Sequence, residues 1–245
     1  MCTLVILRRP EHDWPLILAA NRDEMVDRTW QGPGRHWADR PEVVAGLDKQ
    51  AGGSWLGIND FGVVAGVLNR PGSLGPDRDK RSRGELVLEA LDHADATEAA
   101  RELRAIDGRA YRPFNLVIAD NQDAFWLKSD GSGKTRLEQV PAGLSMITAH
   151  DLNSQASARI RAYLPRFREA PAPVPEEAAW DAWIELLSNP EAPLDSGPED
   201  AMRIETPEGF GTVNSSLLAL PAWGTPIWLF ADGLPGISPF ERVEL

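Results

Sequence analysis

Short apolar runs broken by polar turns fill the first third of the chain, two helical stretches follow, and strand character then returns. Residues 2–7 and 15–20 are rich in Val, Ile and Leu and are separated by the polar segment 8–13, which predicts a hairpin. Residues 43–46, 54–58 and 62–68 predict further strands, the last two joined at an Asn59-Asp60-Phe61-Gly62 turn. Apolar residues at 86, 87, 90 and 91 give 84–93 a helical period. Residues 96–105 keep that register after Asp95, an N-cap with Glu98 three residues on. Segments 114–119 and 124–127 return to strand around a 120–123 turn, with 136–140 and 143–147 as further strand candidates. Segments 154–167 and 175–187 read as helices split by the Pro-Ala-rich piece 170–175, 189–198 as a polar loop, and 215–220 and 226–230 as closing strands.

The spacing between strands is that of hairpins rather than crossovers. It predicts an α+β fold of antiparallel sheets covered by helices. With no internal repeat and no evident linker, residues 1–245 are expected to form a single domain.

Composition narrows the partners. A net charge of −12 disfavours nucleic acid and anionic membranes, because a polyanion would be repelled. A single cysteine excludes an intramolecular disulfide and a thiolate zinc cluster, and it suits a reducing compartment. The apolar run 2–7 is too short for a signal sequence or a membrane span and meets Arg8 and Arg9 at once, so the expected location is cytoplasmic without stable membrane insertion. Oligomeric state leaves no signal. Asp130-Gly131-Ser132-Gly133-Lys134-Thr135 ends like a phosphate-binding loop, but Lys128 stands where its first glycine belongs, and a polar turn is the better reading. His12, His36, His93 and His150 have no metal-site spacing, so neither metal nor cofactor is expected. Trp14, Trp30, Trp37 and Trp55 fall in the first quarter, where they pack a core or line an apolar pocket.

The chemistry concentrates at Cys2. Removal of Met1 would leave one residue bearing a thiol of pKa about 8.5 and an α-amine of about 7.7 to 8.0, nucleophile and base together. Asn21-Arg22-Asp23-Glu24 follows the second apolar run, and a hairpin would return it to the start of the first strand, beside Cys2. A carboxylate there can hold the α-amine, and a guanidinium can favour the thiolate or bind a substrate carboxylate; read locally, the same residues make a capped turn with an Arg-Asp ion pair.

Met1-Cys2-Thr3, residues 18–24, Gly52-Gly53-Ser54-Trp55-Leu56-Gly57, Arg83-Gly84-Glu85-Leu86, Phe114-Asn115-Leu116 and Phe210-Gly211-Thr212 together resemble the NRDE family, also named for transport and Golgi organisation. That family in turn is similar to the N-terminal nucleophile (Ntn) hydrolases of the choloylglycine hydrolase and penicillin V acylase type. The resemblance implies a four-layer αββα sandwich. It also implies that Cys2 attacks an amide carbonyl, Asp23 orients the α-amine, and the Asn69 segment donates hydrogen bonds to the oxyanion.

The pattern departs from those hydrolases at named positions. Ala20 stands where they carry arginine, with Arg22 two residues later, and Val213 followed by Asn214 stands where a second arginine is expected. Leu144-Ser145-Met146 lacks the second oxyanion asparagine, for which His150 or Asn153 can substitute. Three functions stay open: an amidohydrolase for a linear C–N bond of a small acylated substrate, a carrier of haem or a lipid-like ligand on the same fold, and a scaffold.

Overall fold

The computed structural model describes residues 2–75, 77–194 and 196–245. Its elements run β1 Thr3–Arg8, β2 Leu16–Met25, β3 Trp30–Gly34, β4 Val43–Asp48, β5 Leu56–Asn59, β6 Val64–Asn69, α1 Gly84–Leu91 and α2 Ala96–Arg104. There follow β7 Phe114–Ala119, β8 Ala124–Ser129, β9 Thr135–Gln139, β10 Gly143–Ile147, α3 Ala158–Glu169, α4 Asp181–Leu187, β11 Phe210–Leu220, β12 Ile227–Ala231 and β13 Phe240–Arg242.

They form two compact units. The first joins the N-terminal segment through Arg28 to Pro141–Val243, and the second holds Thr29–Val140 with Glu244–Leu245. In the first, a sheet of order β10-β1-β2-β11-β12-β13 is antiparallel throughout. One face carries Val5, Ile17, Ala19, Leu217 and Ala219, which pack against Ile160, Tyr163, Leu164 and Phe167 of α3 and Trp183 and Leu187 of α4. In the second, the antiparallel order is β3-β4-β5-β6-β7-β8-β9, and Val43, Ala45, Ala65, Leu116 and Ile118 pack against Leu86, Val87, Ala90 and Leu91 of α1 and Ala99, Ala100 and Leu103 of α2. Every second strand residue meets a helix, the signature of a pleated sheet with a helical layer. The expected α+β class with antiparallel sheets therefore holds. Among the described residues no helix is long and apolar enough to cross a membrane.

Most elements fall where the apolar pattern placed them, and Asp95 caps α2 by accepting from the Glu98 amide at 2.7 Å. Three differences have physical reasons. β2 continues to Met25, so Asn21 to Glu24 lie in a strand and not in a capped turn. β11 begins at Phe210, before the expected 215, because its polar residues Thr212, Asn214, Ser215 and Ser216 are buried instead of alternating with solvent. Segment 175–187 is a 3₁₀ turn, Pro175–Glu177, and then α4, separated at Ala178, whose φ of 54° breaks the helix.

Two glycine motifs meet in the second unit. A Cβ on Gly53 would lie 2.5 Å from the Gly84 carbonyl carbon, and the Ser54 amide donates to the Gly84 carbonyl at 3.1 Å. The loop before β5 thus touches the start of α1 backbone to backbone, a contact that only residues without side chains permit. Gly53→Ala is expected to lower unfolding free energy by about 1–3 kcal/mol in urea titration, with Gly52→Ala, where a Cβ meets nothing, reporting the positive-φ cost alone.

Candidate active site

The site is built on β2, the strand between β1 and β11. Thr3 pairs with Asn21 on one side, and Thr212 with Asp23 on the other. Alternation then divides the Asn-Arg-Asp-Glu segment. Asn21 and Asp23 face the helical layer, as Ile17 and Ala19 do, while Arg22 shares the opposite face with Ala20.

On the helical side Asp23 is the hub of a buried polar cluster. Its Oδ1 accepts from the Thr212 hydroxyl at 2.7 Å, and its Oδ2 from Arg159 Nη1 at 3.2 Å. Arg159, in the first turn of α3, is 1% exposed; it also donates to Thr3 Oγ1 at 2.6 Å and to the carbonyls of Glu199 and Asp200. Ser157 caps that helix by accepting from the Ile160 amide at 3.2 Å, which fixes the turn carrying the guanidinium. An enclosed ion pair is tolerable only with such a set of hydrogen bonds around it. The Asn21 carboxamide donates to the carbonyls of Leu187 and Met202, both at 2.9 Å, and accepts from the Ser215 hydroxyl at 2.7 Å. Asn21 is therefore a latch between sheet and helical layer, with its amide fully engaged.

Cys2 stands one residue before β1, half-buried, on the side of the pleat opposite Thr3. Its sulfur lies against the backbone of Asp23, donating to the carbonyl at 3.4 Å and accepting from the amide at 3.4 Å. Burial first, and then the Asp23 charge, push the thiol above its ordinary pKa, while Arg22 pulls the other way. A proton thus stays on sulfur until a base removes it. Met1, whose loss would free the Cys2 amine, lies outside the described residues.

On that same face Asn214 pairs with Arg22, and Ser216 with Ala20. A β-bulge between Thr212 and Asn214 inserts Val213, so Thr212 can face Asp23 while Asn214 faces the other way. Asn214 and Ser216 are each 1% exposed, and Asn214 Nδ2 and Ser216 Oγ have no hydrogen-bond partner among the described residues. A buried donor left so costs about 1–3 kcal/mol.

The structure gathers Cys2, Asn21, Arg22 and Asp23 at one end of β2, together with Arg159, Thr212 and Asn214. His150 and Asn153 lie after β10 in the same unit. The Asn153 carboxamide accepts from the Met146 amide at 2.8 Å and donates to Ser145 Oγ at 3.1 Å, which ties it to β10. His150 is half-buried, its amide donating to Thr148 Oγ1 at 3.4 Å. Asn69 ends β6 and Trp55 precedes β5, both in the second unit. Trp55 sits edge-on to Trp30 at 5.7 Å and occupies the space a Gly46 side chain would need. Trp14 instead packs on the core of the first unit.

The antiparallel sheets and helical layers are those of the Ntn-hydrolase fold. The solved N-acylethanolamine-hydrolyzing acid amidase ortholog of Caenorhabditis elegans is similar in structure, with a TM-score of 0.58 at 13% identity over 89% of this chain and 92% of that one. A variant of the conjugated bile acid hydrolase of Clostridium perfringens aligns with a TM-score of 0.54 at 9% identity, covering 100% and 92%. At such identities the likeness is one of fold. The chain belongs to the Transport and Golgi organisation 2 family, which it matches over residues 1–221. Its Bos taurus relative, Transport and Golgi organization protein 2 homolog, is 40% identical over 111 residues, 43% of this chain and 38% of that protein. The Homo sapiens homolog is 38% identical over 114 residues with the same coverages. The match thus spans well under half the length of these curated relatives.

Arg159→Met would leave the enclosed Asp23 carboxylate without its cation and is expected to cost about 3–5 kcal/mol of stability in denaturant unfolding. Adding Asp23→Leu to Arg159→Met is expected to recover a large part of that loss, since no lone charge then stays buried.

Proposed function

We propose that the protein is an amidohydrolase whose N-terminal cysteine cleaves the linear C–N bond of a small acylated substrate through a thioester. The observation that carries this reading is the Cys2 sulfur held against the Asp23 backbone, on a strand whose Asp23 carboxylate is itself fixed by Arg159 and Thr212. Once Met1 is gone, the Cys2 amine takes the thiol proton and the sulfur attacks the carbonyl carbon. Collapse of the tetrahedral adduct breaks the C–N bond, the ammonium returns its proton to the leaving amine, and water then hydrolyses the thioester to the acid. The raised thiol supports this order, because a sulfur that stays protonated needs the base that removal of Met1 supplies. Asp23 acts as the positioning group for that amine. Fold likeness to amidases supports the reaction class, and a free reactive thiol suits a reducing compartment.

Intact mass measurement, combined with hydrolysis of a panel of N-acyl amides including N-acylethanolamines, tests the reading. The expected result is loss of Met1, one fast alkylation by iodoacetamide and an acyl adduct on Cys2. Cys2→Ala should abolish turnover with little change in stability, and Asp23→Asn should lower kcat. Equal turnover by wild type and Cys2→Ala overturns the covalent mechanism. A retained methionine together with a visible haem absorption band on titration would replace it with the carrier. In the protein that keeps Met1, alkylation of Cys2 is expected to rise with pH to a midpoint above about 8.5, and removal of Met1 should move that midpoint down.

A further inference from the structure

We infer that Asn214, with Arg22 beside it and Ser216 one pleat along, forms a subsite that binds a carboxylate of the substrate two strands away from the Cys2 sulfur. Three observations converge on it. The bulge at Val213 turns Asn214 out of the alternation that Thr212 follows and onto the face of Arg22. Asn214 Nδ2 and Ser216 Oγ are buried donors with no partner among the described residues, in a chain where the neighbouring Asn21, Ser215 and Thr212 are all bonded. Arg22 lies between Asn214 and Cys2, its positive charge already felt by the Cys2 thiol. Two amide or hydroxyl donors and one guanidinium match an anionic oxygen acceptor, and Glu24, the acid that β2 carries on that face, is engaged by Arg28 at 3.6 Å and by the Met25 amide at 2.9 Å.

The spacing sets the substrate. Adjacent strands stand about 4.8 Å apart, so Cys2 and Asn214 are separated by about 10 Å across the sheet. A molecule that presents its reacting carbon to the sulfur therefore reaches the subsite through a chain of about six carbons. The substrate class is an acylated amine carrying a carboxylate at that remove from the scissile carbonyl. This deepens the amidohydrolase reading and rests on Cys2 as the reacting group.

Alkylation separates the two claims, because it needs the thiol but no turnover. Full-length protein at about pH 9 is treated with terminally halogenated bromoacetate, bromobutanoate, bromohexanoate and bromooctanoate, and with the matching neutral amides. In each case the S–C bond forms, bromide leaves and the thiol proton passes to buffer; mass spectrometry gives the rate at Cys2. The expected result is a carboxylate-over-amide preference of about tenfold or more that peaks at the hexanoate. Asn214→Leu should remove it and Asn214→Asp invert it, with the amide rates retained as the check that the strand is intact. The near-isosteric aspartate keeps the test open if the leucine variant does not fold. A preference absent from wild type, confined to bromoacetate, or persisting in both Asn214 variants overturns the subsite. Normal amidase turnover alongside such a result would leave the reaction standing without it.

Discussion

The buried carboxylate of Asp23 is the constraint on which the first unit is organised. A charge that water does not reach must be met from several directions, and each partner here comes from a different element. Thr212 approaches from β11, Arg159 from the first turn of α3, and Thr3 of β1 receives a second bond from the same guanidinium nitrogen. One acid therefore fixes the relative register of three strands and the position of a helix.

Because side chains alternate along a strand, fixing Asp23 on the helical face also fixes its neighbours on the other. Arg22 must point away, and so must Cys2 once Thr3 is tied to Arg159. The stabilising cluster and the Cys2 thiol thus share a backbone but not a face. Thr212 and Asn214 achieve the same division on β11, where simple alternation would have put both on one face and the inserted Val213 does not.

How much of this was legible in the sequence follows from what each residue does. Strand Phe114–Ala119 was plain because its apolar residues report burial directly. The Asn-Arg-Asp-Glu segment looked like a turn because four polar residues in a row ordinarily seek solvent, whereas Asn21 and Asp23 are buried by hydrogen bonds that come from as far as 194 residues along the chain. The approach of Asp23 to Cys2 was legible from hairpin geometry alone. Arg159 was not: a basic residue near the start of a helix carries no local mark of burial, and its partner is 136 residues away. The one hint was indirect, since a buried acid must find a cation.

Ala20 and Arg22 differ by two positions, one full pleat period, so both lie on the face of β2 opposite the helical layer. Ala20 pairs with Ser216 and Arg22 with Asn214, which sets the guanidinium beside that amide. Val213, inserted at the bulge, reorients the amide that follows it. Positive charge thus stands on both sides of β2, Arg159 against the acid on one face and Arg22 near the Cys2 thiol on the other.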